Sequence, residues 1–162
     1  MSTLGYNLYF DVMHMKIEGI ENILTMFSVF HDGGISGCTK ENSTLEFDVE
    51  IQYLTERVNP SFRAFHVALY GVKDLSFTTW PDDAEAQPKM FSDLGAIFTP
   101  ELEILSGEME NNSIKVACNQ PLPKLGYCGG FLRLNANSAE VKDEAKKTYS
   151  IQELCALSDG YW

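Results

Sequence analysis

Between Leu45 and Tyr53 apolar and polar residues alternate without a break: Leu45, Phe47, Val49, Ile51 and Tyr53 against Glu46, Asp48, Glu50 and Gln52. Alternation at period two is the pattern of a half-buried β-strand, one face in a core and the other in water. The pattern predicts strand over Leu45–Leu54, with Glu46, Asp48 and Glu50 on the wet face. Neighbours on that face lie about 6.5–7 Å apart along a strand. An antiparallel sheet solvated on one side, with an acidic exposed face, follows as the scaffold.

Similar runs recur. Residues 6–13 have strand-like composition. Phe65, Val67 and Leu69 share one face of a strand over Arg63–Tyr70, and Leu75, Phe77 and Thr79 alternate as far as Trp80. Leu102 and Ile104, then Ile114, Val116 and Cys118, read as two strands of a hairpin turning at Asn111-Asn112. Leu132, Leu134 and Ala136 give a further strand. Residues 81–89, acidic and bounded by proline, read as a loop, as do residues 119–130. Ile17, Ile20, Leu24 and Phe27 recur at helical spacing and predict an amphipathic helix from Lys16 to Val29, although Thr25–Phe30 also suits a strand. Ser150-Ile151-Gln152-Glu153 is a capping-box pattern opening a short helix through Leu157. Six to eight strands with one or two short helices make the expected fold mainly β: an antiparallel β-sandwich or strongly curled sheet, one domain over residues 1–162.

The net charge of −11 narrows the partners. It is evenly spread, 5 basic and 10 acidic residues in 1–80 against 7 and 13 in 81–162, so there is no acidic tail or basic module. Such a chain repels nucleic-acid phosphates and admits a basic protein partner. The N-terminus lacks a basic stretch followed by an apolar one, and no apolar run approaches the roughly 18–20 residues of a membrane span. The four cysteines, Cys38, Cys118, Cys128 and Cys155, form no CxxC pair and no zinc spacing. The expectation is a cytoplasmic protein with reduced thiols, no membrane association and no cofactor.

Candidate chemistry is sparse, and no catalytic residue stands out. His31-Asp32, with His14 upstream, has the residue types of a metal-dependent hydrolase. The plainer reading is a tight turn in which Asp32 hydrogen-bonds backbone N–H groups and Gly33 supplies a positive φ. His66 and Tyr70, flanking Ala68 on one strand face, are candidates for a ligand pocket; a hydrogen-bonded, partly buried histidine is the plainer alternative. Glu46, Asp48 and Glu50 are candidates for electrostatic docking of a cationic protein, against the alternative of a solvated face that discourages edge pairing. Cys128, before Gly129-Gly130, is expected in an exposed loop, and Cys118 and Cys155 as packed hydrophobes. Trp80 and Tyr161-Trp162 are either interface anchors or pins that fix the chain to its core.

Phe30-His31-Asp32-Gly33, followed by Ile35, the Leu45–Leu54 strand, Phe65–Gly71-Val72 and Leu75–Trp80, resembles a layout found in small bacterial domains. These include some immunity proteins of polymorphic toxin systems. The resemblance covers residues 27–80 and brings no catalytic residues with it. It implies a protein that binds and neutralises another protein, and the acidic surface suits a basic toxin. The expected function is therefore a non-enzymatic protein-binding domain of the immunity type, directed at a basic protein. The alternative is a small-molecule-binding domain or enzyme using His66 and Tyr70.

Overall fold

The computed structural model describes residues 15–159. Within them the chain forms one continuous antiparallel sheet of 11 strands that is not closed. In chain order the elements are β1 (Ile17–Glu18), α1 (Ile20–Val29), β2 (Gly34–Glu41), β3 (Thr44–Glu50), α2 (Gln52–Thr55), β4 (Ala64–Tyr70) and β5 (Lys73–Pro81). There follow β6 (Met90–Phe91), α3 (Leu94–Ile97), β7 (Leu102–Glu110), β8 (Ser113–Asn119), a 3-10 turn (Pro123–Leu125), β9 (Tyr127–Asn135), β10 (Ser138–Lys142), β11 (Thr148–Tyr149) and α4 (Ile151–Ser158). The spatial order is β1-β10-β4-β3-β2-β7-β8-β9-β5-β6, with β11 on β10. Among the described residues no helix is long and apolar enough to cross a membrane.

Two half-sheets meet at a narrow seam. β2 and β7 pair only through Gly34–Glu103 and Ile35–Leu102. Beyond the seam β2 carries an irregularity between Ser36 and Thr39, with Gly37 at φ 62, which bends the strand and discourages pairing along its far edge. The sheet curls about α1, which touches β1 and β10 on one side and β7 and β8 on the other. A single apolar core results, drawing Phe47, Val67 and Val141 from one half and Phe77, Ile104 and Leu132 from the other. Phe65 is fully buried in it, its ring centroid 5.4 Å from that of Phe30 and 5.6 Å from that of Tyr149.

The helix expected from Lys16 begins later, at Ile20, and the alternative of a strand over Thr25–Phe30 is overturned, because Thr25–Val29 lie within the helix. Ile17 and Glu18 pair with Ala139 and Ser138, then Gly19, at φ 85, breaks the strand and opens the helix. Three of its four buried residues, Ile23, Met26 and Phe27, fall at i, i+3 and i+4, one apolar stripe. The strand expected over Leu45–Leu54 ends at Glu50; Ile51, at φ −150 and ψ 71, turns the chain into α2. That turn buries Leu54 and lets the Tyr53 hydroxyl donate to the His31 carbonyl at 2.6 Å. Asn111 and Asn112, at φ 51 and 63, form the tight turn of the β7–β8 hairpin. Ser150 and Glu153 form both bonds of the capping box. The 6–13 strand, His14 and Tyr161-Trp162 lie outside the described residues.

Candidate functional site

The outward side chains of β3 are Glu46, Asp48 and Glu50, while Leu45, Phe47 and Val49 enter the core. Register places β4 beside them, with Glu46 opposite Ala68 and Asp48 opposite His66. His66 reaches across the strand pair to both carboxylates. Its Nδ1 lies 2.9 Å from Asp48 Oδ1 and its Nε2 3.1 Å from Glu46 Oε1. Two groups that the sequence offered separately, the acidic row and His66, therefore form one cluster. Partial burial pulls the His66 pKa down, but the hydrogen bonds and charges of Asp48 and Glu46 outweigh it and the net shift is upward.

His66 also borders a hollow of about 470 Å³ with Asp48, Ala64, Asp143, Glu144 and Lys146. Tyr70 is not among its lining residues; it stands farther along β4 under the Lys16 ammonium, 5.1 Å from the ring centroid. Burial raises the Tyr70 pKa, as do Glu140 and Glu46, against Lys142.

The other end of the acidic row opens into a larger cleft of about 590 Å³ at the seam. Asp32, Glu50, Glu101 and Glu103 line it together with Gly34, Asn119, Gln120, Pro121 and Cys128. Its construction follows from one glycine. Gly34 pairs with Glu50 on β3 and with Glu103 on β7, so the two acids flank a position without a side chain. The Glu101 carboxylate lies in that space, where a Cβ on residue 34 would overlap it. Burial, then the charge and side chain of the neighbouring Glu50, raise the Glu101 pKa. Among the described residues no lysine or arginine lines the cleft.

The His31-Asp32-Gly33-Gly34 turn delivers Asp32 to this cleft. The Asp32 N–H donates to Ile104 O at 2.7 Å and Ile104 N–H to Gly33 O at 2.9 Å, hooking the turn onto β7. Asp32 itself adopts the left-handed conformation, φ 68, which corrects the expectation that Gly33 supplies it. Gly33 serves closeness instead, because a Cβ there would lie 2.5 Å from Val49 Cγ1 and 2.9 Å from the Phe30 carbonyl. His31 Nδ1 sits 3.0 Å from the Asp32 carboxylate. Among the described residues no group of three or more His, Cys, Asp or Glu is arranged to hold a metal ion.

Cys128 is exposed within the cleft, while burial pushes the Cys38 and Cys118 thiols up to about 12. Trp80 is half-buried, edge-on to Phe131 at 5.0 Å. The sequence reading missed Glu101 and Glu103. They alternate with Leu102 and Ile104 as the β3 acids alternate with their apolar neighbours, and that shorter pattern was the available signal. No protein-family model matches the chain, and no curated protein or solved structure matches it significantly.

Proposed function

We propose that this protein is a non-enzymatic binding domain that docks a basic protein, in the manner of an immunity-type inhibitor, through the acidic cleft and the strand face leading into it. One observation carries the reading: Asp32, Glu50, Glu101 and Glu103 converge on a single cleft with no lysine or arginine among the described residues that line it. Carboxylates held close without counter-charge repel one another, and the Glu50 charge accordingly helps to raise the Glu101 pKa. A lysine or arginine side chain from outside relieves this repulsion, and guanidinium suits paired carboxylates by shape. Glu50 joins the cleft to Glu46 and Asp48, so the negative field extends along β3 and steers a cationic partner inward. The exposed acids of the 81–89 loop, Asp82, Asp83 and Glu85, add to it. That loop is tied by the Asp82 N–H to Gly126 O, at the end of the segment that supplies Gln120 and Pro121 to the cleft.

The test is capture from a lysate of the producing cells at low and high salt, with wild type and with Glu50→Gln/Glu101→Gln/Glu103→Gln. The expected result is a basic protein retained at low salt, eluted by salt and lost with the triple variant. Equal retention by both proteins would overturn the assignment of the cleft.

A further inference from the structure

The contacts of His66 define a protonation state by geometry. A neutral imidazole offers one N–H and one lone pair, and an ionised carboxylate only accepts. Both ring nitrogens of His66 face carboxylate oxygens, at 2.9 and 3.1 Å. With both carboxylates ionised, satisfying the two contacts at once takes two N–H donors, so the arrangement belongs to the imidazolium. Removing the proton leaves a lone pair against a carboxylate, and that contact must open. The ring side chain is 46% exposed, so the proton has a direct route to water.

We propose that His66 is a proton-operated latch on the acidic face: as the imidazolium it ties Glu46 and Asp48 to β4, and on losing its proton it releases one of them for a cationic partner. The consequence for docking rests on the function proposed above; the latch itself does not. The proton passes to solvent, and only an N–H bond breaks.

Three of the other charged groups around the ring, Lys142, Asp143 and Glu144, are engaged elsewhere. On β10, Lys142 is the register partner of His66, and its ammonium is held by Glu140 at 3.1 Å. In the turn after β10, Asp143 accepts from the Ala145 and Lys147 N–H groups and the Tyr149 hydroxyl. Glu144 accepts from the backbone N–H groups of Arg63 and Ala64. Lys146 lines the same hollow, and Tyr70 stands on the same face of β4. Glu46 and Asp48 are the carboxylates in hydrogen-bond contact with the ring.

Two measurements decide the matter. The first follows the His66 ring nitrogens by long-range 1H–15N NMR from pH 5 to 9 in wild type, Glu46→Gln and Asp48→Asn. The expected result is a doubly protonated ring that titrates above the ordinary histidine value and moves back towards it in each variant. A wild-type ring that titrates at or below the ordinary value overturns the latch, whatever the partner. The second measures binding of a short arginine- and glycine-containing peptide at pH values on either side of the measured titration. Wild type is expected to gain up to about fivefold in affinity at the higher pH, the scale of one exposed ion pair, while His66→Gln binds equally at both. The same pH response in both proteins overturns the release step. Peptide binding by neither protein at either pH removes the docking function, and the NMR titration then decides the latch alone.

Discussion

The two halves of the sheet treat charge in opposite ways. On the outer face of β7, β8 and β9 the charges close on one another. Lys115 Nζ lies 3.1 Å from Glu108 and 3.0 Å from Glu110, and Arg133 Nε 3.0 Å from Glu110. Both cations also pack over the Phe131 ring, at 4.1 and 5.4 Å from its centroid. Across the seam, Glu46 and Asp48 share one histidine, and Glu50, Glu101, Glu103 and Asp32 face the same cleft. One face is complete in itself. The other leaves negative charge that a partner can neutralise, and it begins where the two halves join. A charge census separates them poorly, because both faces are rich in glutamate. What separates them is the cross-strand register, which brings cations to one set of acids and a glycine to the other.

The largest expected effect breaks the seam. Gly33→Ala sets a Cβ against Val49 and the Phe30 carbonyl, and a backbone oxygen cannot swing aside. It should cost about 1–3 kcal/mol, the usual range for overpacking, read as a lower urea midpoint. The neighbouring Gly34→Ala meets only the end of the Glu101 side chain. It should cost under about 1 kcal/mol, because that side chain can rotate into solvent. It should also return the Glu101 pKa, followed by 13C NMR, towards its ordinary 4.5. Equal destabilisation by the two alanines would mean that the acidic gathering at the seam is as rigid as the core.

The next effect separates the faces by function. Glu50→Gln/Glu101→Gln/Glu103→Gln should weaken binding of the arginine-containing peptide by about tenfold or more, the sum of several exposed pairs. Glu108→Gln/Glu110→Gln removes as many charges less one, from acids that already have cations, and should leave the affinity within about twofold by the same reasoning. Equal losses in the two variants would show that net charge alone attracts the peptide.

Much of the scaffold was legible in the sequence, and most of the site was not. The β3 alternation, the Asn111-Asn112 turn and the Ser150–Glu153 box are local patterns with local causes, and each appears where the sequence puts it. The end of β3 was misread because Ile51 and Leu54 are buried whether the chain continues as strand or turns into α2. The cleft depends on pairing between β2 and β7, whose partners Gly34 and Glu103 lie far apart in the chain. Alternation tells which side of a strand is wet but not which strand lies beside it. His66, Asp48 and Glu46 were each visible as candidates, but the clasp among them is a product of register.

The smallest effect is in the pH dependence of stability, where the faces have opposite signs. Glu110 is held below its ordinary 4.5 by its hydrogen bonds to Arg133 and Lys115. Its contribution is therefore present above that value and lost as pH falls through the lowered folded pKa. Glu153 acts in the same direction, through the Ser150 backbone N–H and Lys147, so acid loss is shared between the paired face and the cap of α4. Glu101 is shifted the other way by burial and by Glu50. Its folded form binds the proton more tightly, so its contribution is full below 4.5 and is lost as pH rises through the raised value. His66 extends that alkaline loss, since its contribution is full below the ordinary histidine value of 6.5 and lost through a raised folded pKa. Urea midpoints across pH should therefore fall less steeply on acidification in Glu110→Gln than in wild type, and less steeply on the alkaline side in Glu101→Gln and His66→Gln. A shift of the Glu101→Gln and Glu110→Gln curves in the same direction would erase the distinction between a face whose acids are paired with cations and a cleft whose acids are gathered without them.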